Sequence, residues 1–548
     1  MKKLFMIFPG LFLFLFLACD DFLEEDNLSS QVASEYYETE SGYETLINSC
    51  YSSLRTIYGD QPWLLCAGTD LYVEGRNTQP EGISEYRNLT SSDSYVKTFF
   101  SNLYESIQYC NTAVYYNDKT EETSSLAQRL AEVRFIRAVD YFELVQHFGG
   151  VAIVEDMIGE AIVEFSRQPA EDVYDFIISE LTAILNDLPE TTEEFGRVTQ
   201  RAVYHYLAKV HLTRGYQDFA ASDDFTTAAS YAEKAIDGQG LDLTFEELFT
   251  PGNEENDEVI FSVQYDQSSM LDPTTDGNMQ NYYFGPYLGG EGTAYGYPYR
   301  AYMLCPTMYV FDLFNEYDSR WEASFMTTVY TRYYDYYDQS DNRESLEVWY
   351  YYPQQWQLED TATWRASSAL RADATIIPYT DKWEASTASS ADFETPIVKK
   401  FDDPTANFSG SGSSSRDIFL ARLGETYLIA AEAYLKAGDV TNAAKKINVI
   451  RTRAAKTGYE AEMQLSSGEV DMDAILDERA RELLGEYHRW EDLARTGTLV
   501  ARTKLYNRDI KTWFDNGTNP YMGNDGKLKL LRPIPQDALD LNQDESYT

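Results

Sequence analysis

Apolar positions recur at spacings of three and four along several stretches of the chain, as in helices that bury one face. In residues 124–148 the stripe runs through Leu130, Val133, Arg134, Arg137, Ala138, Tyr141 and Leu144, then stops at Gly149-Gly150. Residues 171–188 open on acidic side chains suited to a helix N-terminus and end at Pro189. Residues 201–214 and 226–236 form a pair ending near Gly215 and Gly238. Residues 418–436 and 441–455 form a second pair, ending at Gly438 and near Gly458.

The two pairs share one plan. The first helix brings Tyr and Leu followed by small alanines, and the second brings Ala at three- and four-residue spacing. Alanine lets antiparallel helices approach closely while larger partners fill the groove above. The plan is similar to tetratricopeptide-type repeats, which stack helical pairs into a solenoid. The consensus Trp, Gly-Tyr and final Pro are mostly missing, and a plain bundle is the alternative. The expected fold is therefore mainly α, a helical scaffold over about 28–240 and 416–548. Between its halves, about 241–415 is a long insertion rich in Gly, Pro, Ser, Thr, Tyr and Asp, with short strand-like pieces at 259–264 and 397–401 and a flexible loop at 407–416.

The N-terminus changes where this scaffold is placed. Lys2 and Lys3 precede an apolar run over 4–17, too short for the roughly 20 residues of a membrane span, and it reads as a secretory signal. Phe16-Leu17-Ala18-Cys19 resembles the lipobox of bacterial lipoproteins, with Phe16 where Leu is commonest. That resemblance implies a signal peptide over 1–18 and a lipidated Cys19 anchoring the chain to a membrane. Residues 19–27, with Asp20, Asp21, Glu24, Glu25 and Asp26, form an acidic tether. Cleavage would remove two lysines and take the charge from −46 to 42 − 90 = −48. Such a chain repels nucleic acid and anionic headgroups, so neither is an expected partner. Cys50, Cys66, Cys110 and Cys305 fall in no CxxC pair, leaving buried thiols or one incidental bridge open.

Three stretches carry a closer resemblance. They are 475–497 (ILDERARELLGEYHRWEDLARTG), 530–536 (LLRPIPQ) followed by Leu541-Asn542-Gln543, and 132–148 closing on Gly149-Gly150-Val151. On these residues the chain resembles the SusD/RagB outer-membrane lipoproteins of Bacteroidetes, with Gln543 where the family usually has Pro. The resemblance spans 28–548 as one domain. It implies a tetratricopeptide-like scaffold and an outer-membrane location facing the cell exterior, reinforced by the acidic tether. It also implies a non-catalytic lid that captures oligosaccharides for a SusC-like TonB-dependent transporter. A peptide-binding lid of the same fold is the runner-up, and a glycoside hydrolase or a purely structural lid are further alternatives.

The charged run Glu486 to Leu493 reads as a buried knot, with Arg489 or Arg481 paired to Glu and Trp490 packed beneath. An acid–base pair drawn from Glu486, Glu491 and Asp492 is the sharper alternative. His205 and His211 stand six apart, which does not converge on a metal, and all four histidines read as packing or surface residues. No nucleophile elbow, phosphate loop or zinc-protease motif is present. No cofactor or metal is expected: Ca²⁺ would suit clustered carboxylates, but no calcium-loop spacing supports it.

The positive chemistry is aromatic. Seventeen of the 44 tyrosines fall between Tyr282 and Tyr352, inside the insertion. Sugar rings offer apolar C–H faces and a belt of hydroxyls, so a site for them needs flat rings edged by polar groups. Most of these rings are expected to pack and hold loops together, and some to meet the transporter. The ligand face is expected to combine the loop 63–95 with insertion residues. The candidates are Trp63, Asp70, Tyr72, Arg76, Tyr86, Tyr283, Tyr295, Tyr297, Trp321 and Trp349.

Overall fold

Small residues bring two distant helix hairpins into one core. Helix Gln200–Arg214 pairs with Asp224–Ile236, and Leu423–Lys436 pairs with Val440–Ala454. Ala208, Ala228, Ala229 and Ala232 of the first hairpin share a buried cluster with Ala430, Ala431, Ala433, Ala443 and Ala444 of the second. Helix 224–236 packs directly on helix 423–436, so the repeat continues across the whole intervening insertion. Upstream, Glu40–Tyr58, Ser94–Asn117, Leu126–Phe148 and Ala170–Ala183 stack in chain order onto the same array. The structure, a computed structural model, describes residues 33–270, 276–288, 300–384, 392–405 and 413–544. No helix among these is long and apolar enough to cross a membrane. The architecture is a mainly helical, tetratricopeptide-like scaffold carrying a loop-rich insertion.

The insertion leaves the scaffold through a two-stranded stem. Val259–Val263 pairs antiparallel with Ile418–Arg422, with register shifts beside Phe261. This corrects the expectation of helix from residue 418. All five residues of Ile418–Arg422 are buried, and the partner strand lies far back in sequence. Helix begins only at Leu423. The 171–188 helix is likewise shorter, ending at Ala183. Other strands in the insertion are brief. Phe325–Met326 pairs with Ile397–Val398, while Val348–Tyr351 sits between Thr328–Tyr330 and Thr375–Ile376.

The 475–497 segment is two helices, Met472–Glu482 and Arg489–Arg495, and so does not form a continuous turn around Glu486. Gly485 has φ of 80° and Tyr487 has φ of 66°. At Gly485 a Cβ would strike the Phe401 ring, so the break needs glycine there. The break turns Glu486 toward Arg422, whose Nε lies 2.6 Å from it, and toward Lys400. Arg422 also reaches Glu258 at 2.9 Å and Glu482 at 2.8 Å. Arg320, wholly buried, joins Asp318, Glu478 and Glu482 at 2.8–2.9 Å. The acidic motif is therefore a buried ion-pair network that pins the insertion stem to the C-terminal helices.

Trp490 is where the three resemblance-bearing stretches meet. Its ring stacks on His147 at 4.6 Å and 12°, and the Arg532 guanidinium lies 4.4 Å from its centroid. The Arg532 N–H donates to the His147 carbonyl at 2.7 Å. Helix 126–148, helix 489–495 and the C-terminal segment at Arg532 are thereby locked together.

Candidate ligand face

The loop after helix 40–58 is held from below by the C-terminal region. Tyr72–Glu74 pairs antiparallel with Leu304–Pro306, tying the loop to the insertion. Asn507 Nδ2 donates to the carbonyls of Thr69 and Tyr72 at 2.7 and 2.9 Å, and the Glu74 N–H donates to Asp509 at 2.7 Å. That support presents Arg76 at the edge of the loop. Its guanidinium lies 3.9 Å over the Tyr287 ring, and its Nε is 3.0 Å from Asp392. The next residue, Phe393, packs its ring 5.6 Å from Tyr350 and 6.2 Å from Trp349. Trp349 and Tyr350 themselves lie 4.5 Å apart. The Tyr352 hydroxyl fixes this corner by donating to the Phe393 carbonyl at 2.8 Å.

Tyr287, Arg76, Asp392, Phe393, Tyr350 and Trp349 are all partly exposed. They form a contiguous rim of flat rings interrupted by one guanidinium and one carboxylate. Aromatic faces match the apolar side of a pyranose, and the charged pair offers donors and acceptors to its hydroxyls. Nothing in the rim requires a cofactor or metal to complete it.

The other sequence candidates separate by burial. Trp349 and Arg76 stand on the rim. Tyr295 and Tyr297 lie outside the described residues. Trp63, Asp70, Tyr72, Tyr86 and Trp321 are at most 3% exposed, so the structure places them behind the rim and not on it. Trp63 is edge-on to Tyr283 at 4.8 Å, with Tyr283 itself buried. Trp321 stacks on Trp383 at 5.7 Å and 9°. The Tyr72 hydroxyl accepts the Gly485 N–H at 2.6 Å. The Tyr86 hydroxyl donates to Gly68 O and accepts from Trp490 Nε1 at 2.9 Å. Burial would raise the Asp70 carboxyl, but Arg489 and Arg502 override it and hold the pKa below its ordinary value.

Beside Arg76 and Trp349 the rim holds Tyr287, Tyr350, Asp392 and Phe393, which were not among the candidates. The run Trp349-Tyr350-Tyr351-Tyr352 marked the right strand, but the Arg76–Asp392 pairing leaves no local trace. Half of the described insertion tyrosines are buried. Tyr302, Tyr333 and Tyr352 are 0% exposed, and the Tyr333 and Tyr337 hydroxyls both donate to Asp402, at 2.5 and 2.7 Å. The four cysteines among the described residues are buried and free. All four histidines are buried as well, none on the surface. A cleft of about 690 Å³ opens elsewhere, between Tyr309, Asp312, Glu384, Asp477, Arg508 and Lys511. Its ring pair, Tyr309 and Tyr506, is stacked on itself at 4.1 Å, which covers one face of each.

The profile described as SusD family matches residues 257–545, more than half the chain. The chain belongs to the SusD family. A second profile, described as starch-binding associating with outer membrane, matches residues 21–212. The SusD-like protein P2 of Formosa agariphila is 26% identical over 561 residues, covering 99% of this chain and 98% of that protein. The starch-binding protein SusD of Bacteroides thetaiotaomicron is 25% identical over 434 residues, covering 74% and 71%. Among solved structures, a laminarin-binding SusD-like protein superposes with a TM-score of 0.66 at 21% identity, covering 92% of this chain and 98% of its own. That likeness fixes the SusD fold for this chain.

Proposed function

We propose that this SusD-family chain is a cell-surface lipoprotein that binds an oligosaccharide on the Arg76–Tyr287–Trp349–Tyr350 rim. It hands the ligand to a TonB-dependent transporter of the SusC type. The observation that carries this reading is the rim itself: partly exposed rings flanking one guanidinium and one carboxylate, on loops braced from behind. The names of starch- and laminarin-binding relatives support a glycan as the ligand class. The anchor would be Cys19, placing the protein on the outer membrane and facing outward. Binding without bond cleavage is the activity proposed.

The test is a broad polysaccharide and oligosaccharide panel screened by calorimetry against residues 20–548. Affinity for one glycan class, without release of reducing ends, is the expected result. Absence of binding across the panel would overturn the ligand, and accumulation of reducing ends would replace the binding protein with a hydrolase. Co-purification of the full-length lipoprotein with an outer-membrane barrel tests the transporter partnership separately.

A further inference from the structure

Glu143 and His147 stand four apart on helix Leu126–Phe148, a spacing that puts both side chains on one helix face. Glu491, on helix Arg489–Arg495, comes up against them from the C-terminal region. Nε2 of His147 lies 3.8 Å from Oε2 of Glu143 and 3.7 Å from Oε1 of Glu491. All three atoms lie within 4.8 Å of one another. The three residues are no more than 6% exposed, and His147 is 0% exposed. Separations of 3.7–3.8 Å are too long for hydrogen bonds, so His147 Nε2 has no partner, and the two carboxylate oxygens meet no donor from the surrounding protein. An unpaired buried polar atom costs about 1–3 kcal/mol, so three aimed at one point call for an explanation.

We infer that Glu143, His147 and Glu491 form a structural site for a divalent transition cation of the Zn²⁺ class. A tetrahedral ion with bonds of about 2.0–2.2 Å sets neighbouring donors about 3.3–3.6 Å apart. Movements of a few tenths of an ångström would bring the imidazole nitrogen to that spacing from each carboxylate. One imidazole and two carboxylates suit zinc with a water as the fourth ligand, whereas Ca²⁺ and Mg²⁺ demand still more oxygen donors. The remaining carboxylate oxygens are already oriented. Oε1 of Glu143 accepts from the Tyr58 hydroxyl at 3.0 Å, and Oε2 of Glu491 faces Lys209 at 3.8 Å. The His147 ring is clamped between Trp490, stacked at 4.6 Å, and the edge of Phe99 at 5.1 Å.

Two buried carboxylates beside a single ammonium favour a cation here. Lys209 is shared with Glu425, 3.3 Å away, which Arg479 also faces at 3.4 Å. The metal would join the repeat scaffold to the C-terminal motif as the chain folds.

The test uses the mature chain over residues 20–548, refolded with ZnCl₂, dialysed, and assayed for metal by mass spectrometry. About one zinc per chain is expected, falling at least about tenfold in both Glu143→Gln and His147→Gln. Less than about a tenth of an equivalent in the wild type, or unchanged content in both variants, would overturn the proposal. Should the variants not fold, zinc X-ray absorption of the wild-type protein decides. A shell of oxygens with one imidazole is expected. Two imidazoles would move the ion to the neighbouring His205–Glu425–His488 group and defeat the assignment, as would an absence of bound zinc.

Discussion

Arg489 grips Asp70 through two parallel hydrogen bonds, Nε at 2.7 Å to one oxygen and Nη2 at 2.6 Å to the other, across 419 positions of chain. This bidentate geometry is among the stronger charged contacts available to a protein. Arg502 adds a third bond at 2.9 Å. The N-terminal loop that carries Arg76 is thus seated on C-terminal cations, and the position of the rim depends on a buried ion cluster behind it.

Asp70→Asn should accordingly act on stability and leave recognition of the ligand alone. Removing one partner from a buried ion pair leaves the other charge uncompensated, a loss of about 3–5 kcal/mol. Calorimetry should show a lower melting temperature. The fraction still folded should bind the glycan with unchanged affinity. Weakened binding at full stability would restore Asp70 to the ligand face.

Arg422→Met probes the insertion stem in the same way. It leaves Glu258, Glu482 and Glu486 with fewer cations, though Glu482 retains Arg320 at 2.9 Å and Glu486 retains Lys400. A loss of about 3–5 kcal/mol is expected from the carboxylates left behind. Because the stem joins strand 259–263 to strand 418–422, hydrogen exchange should rise first in those two strands. Protection lost equally everywhere would contradict a local role.

Local periodicity made most of the scaffold legible. The alanine pattern of 201–236 and 418–455 depends only on neighbours three and four apart, and the structure keeps those helices within a few residues. Ile418–Arg422 was misread because a short apolar run fits helix and strand alike, and only the distant Val259–Val263 decides between them. The site was legible to a lesser degree for a related reason. Composition revealed where the rings are concentrated, and burial decides whether a ring faces outward. Trp321 and Trp349 look alike in sequence. One stacks on Trp383 in the interior, and the other reaches the rim because Phe393 returns beside it. The Glu143–His147 spacing was present in sequence, but Glu491 joins it only in three dimensions.

Acid should affect the insertion through Asp402. Its burial raises the pKa from an ordinary carboxyl value to about 6, with the Tyr333 and Tyr337 hydroxyls partly offsetting that rise. A carboxyl whose pKa is higher folded than unfolded favours the folded state fully below about pH 4. The contribution is lost as pH rises through about 6, and it amounts to about 3 kcal/mol. His488, held down at about 4 by burial, works in the opposite sense over the same range. The difference between wild type and Asp402→Asn isolates the aspartate. Relative to the variant, wild-type stability measured by denaturant titration should fall between pH 4 and pH 6.5 and be flat above. A flat difference throughout would refute the buried carboxyl.

The rim makes the most direct claim on function. Trp349 and Tyr350 offer adjacent rings, while Arg76 is held over Tyr287 and steadied by Asp392. Stacking one aromatic ring contributes about 1 kcal/mol or more beyond area burial. Trp349→Ala should therefore weaken glycan binding about tenfold with little change in melting temperature, since the ring is already partly exposed. Arg76→Lys keeps the charge but loses the planar fork that lies over Tyr287, and it should weaken binding by a smaller factor. Trp321→Phe, inside the core, should do the reverse: lower stability with affinity intact. Isothermal titration with the glycan found in the panel, beside thermal unfolding of the same samples, separates the outcomes. Equal affinity in wild type, Trp349→Ala and Arg76→Lys would move the binding face away from this rim.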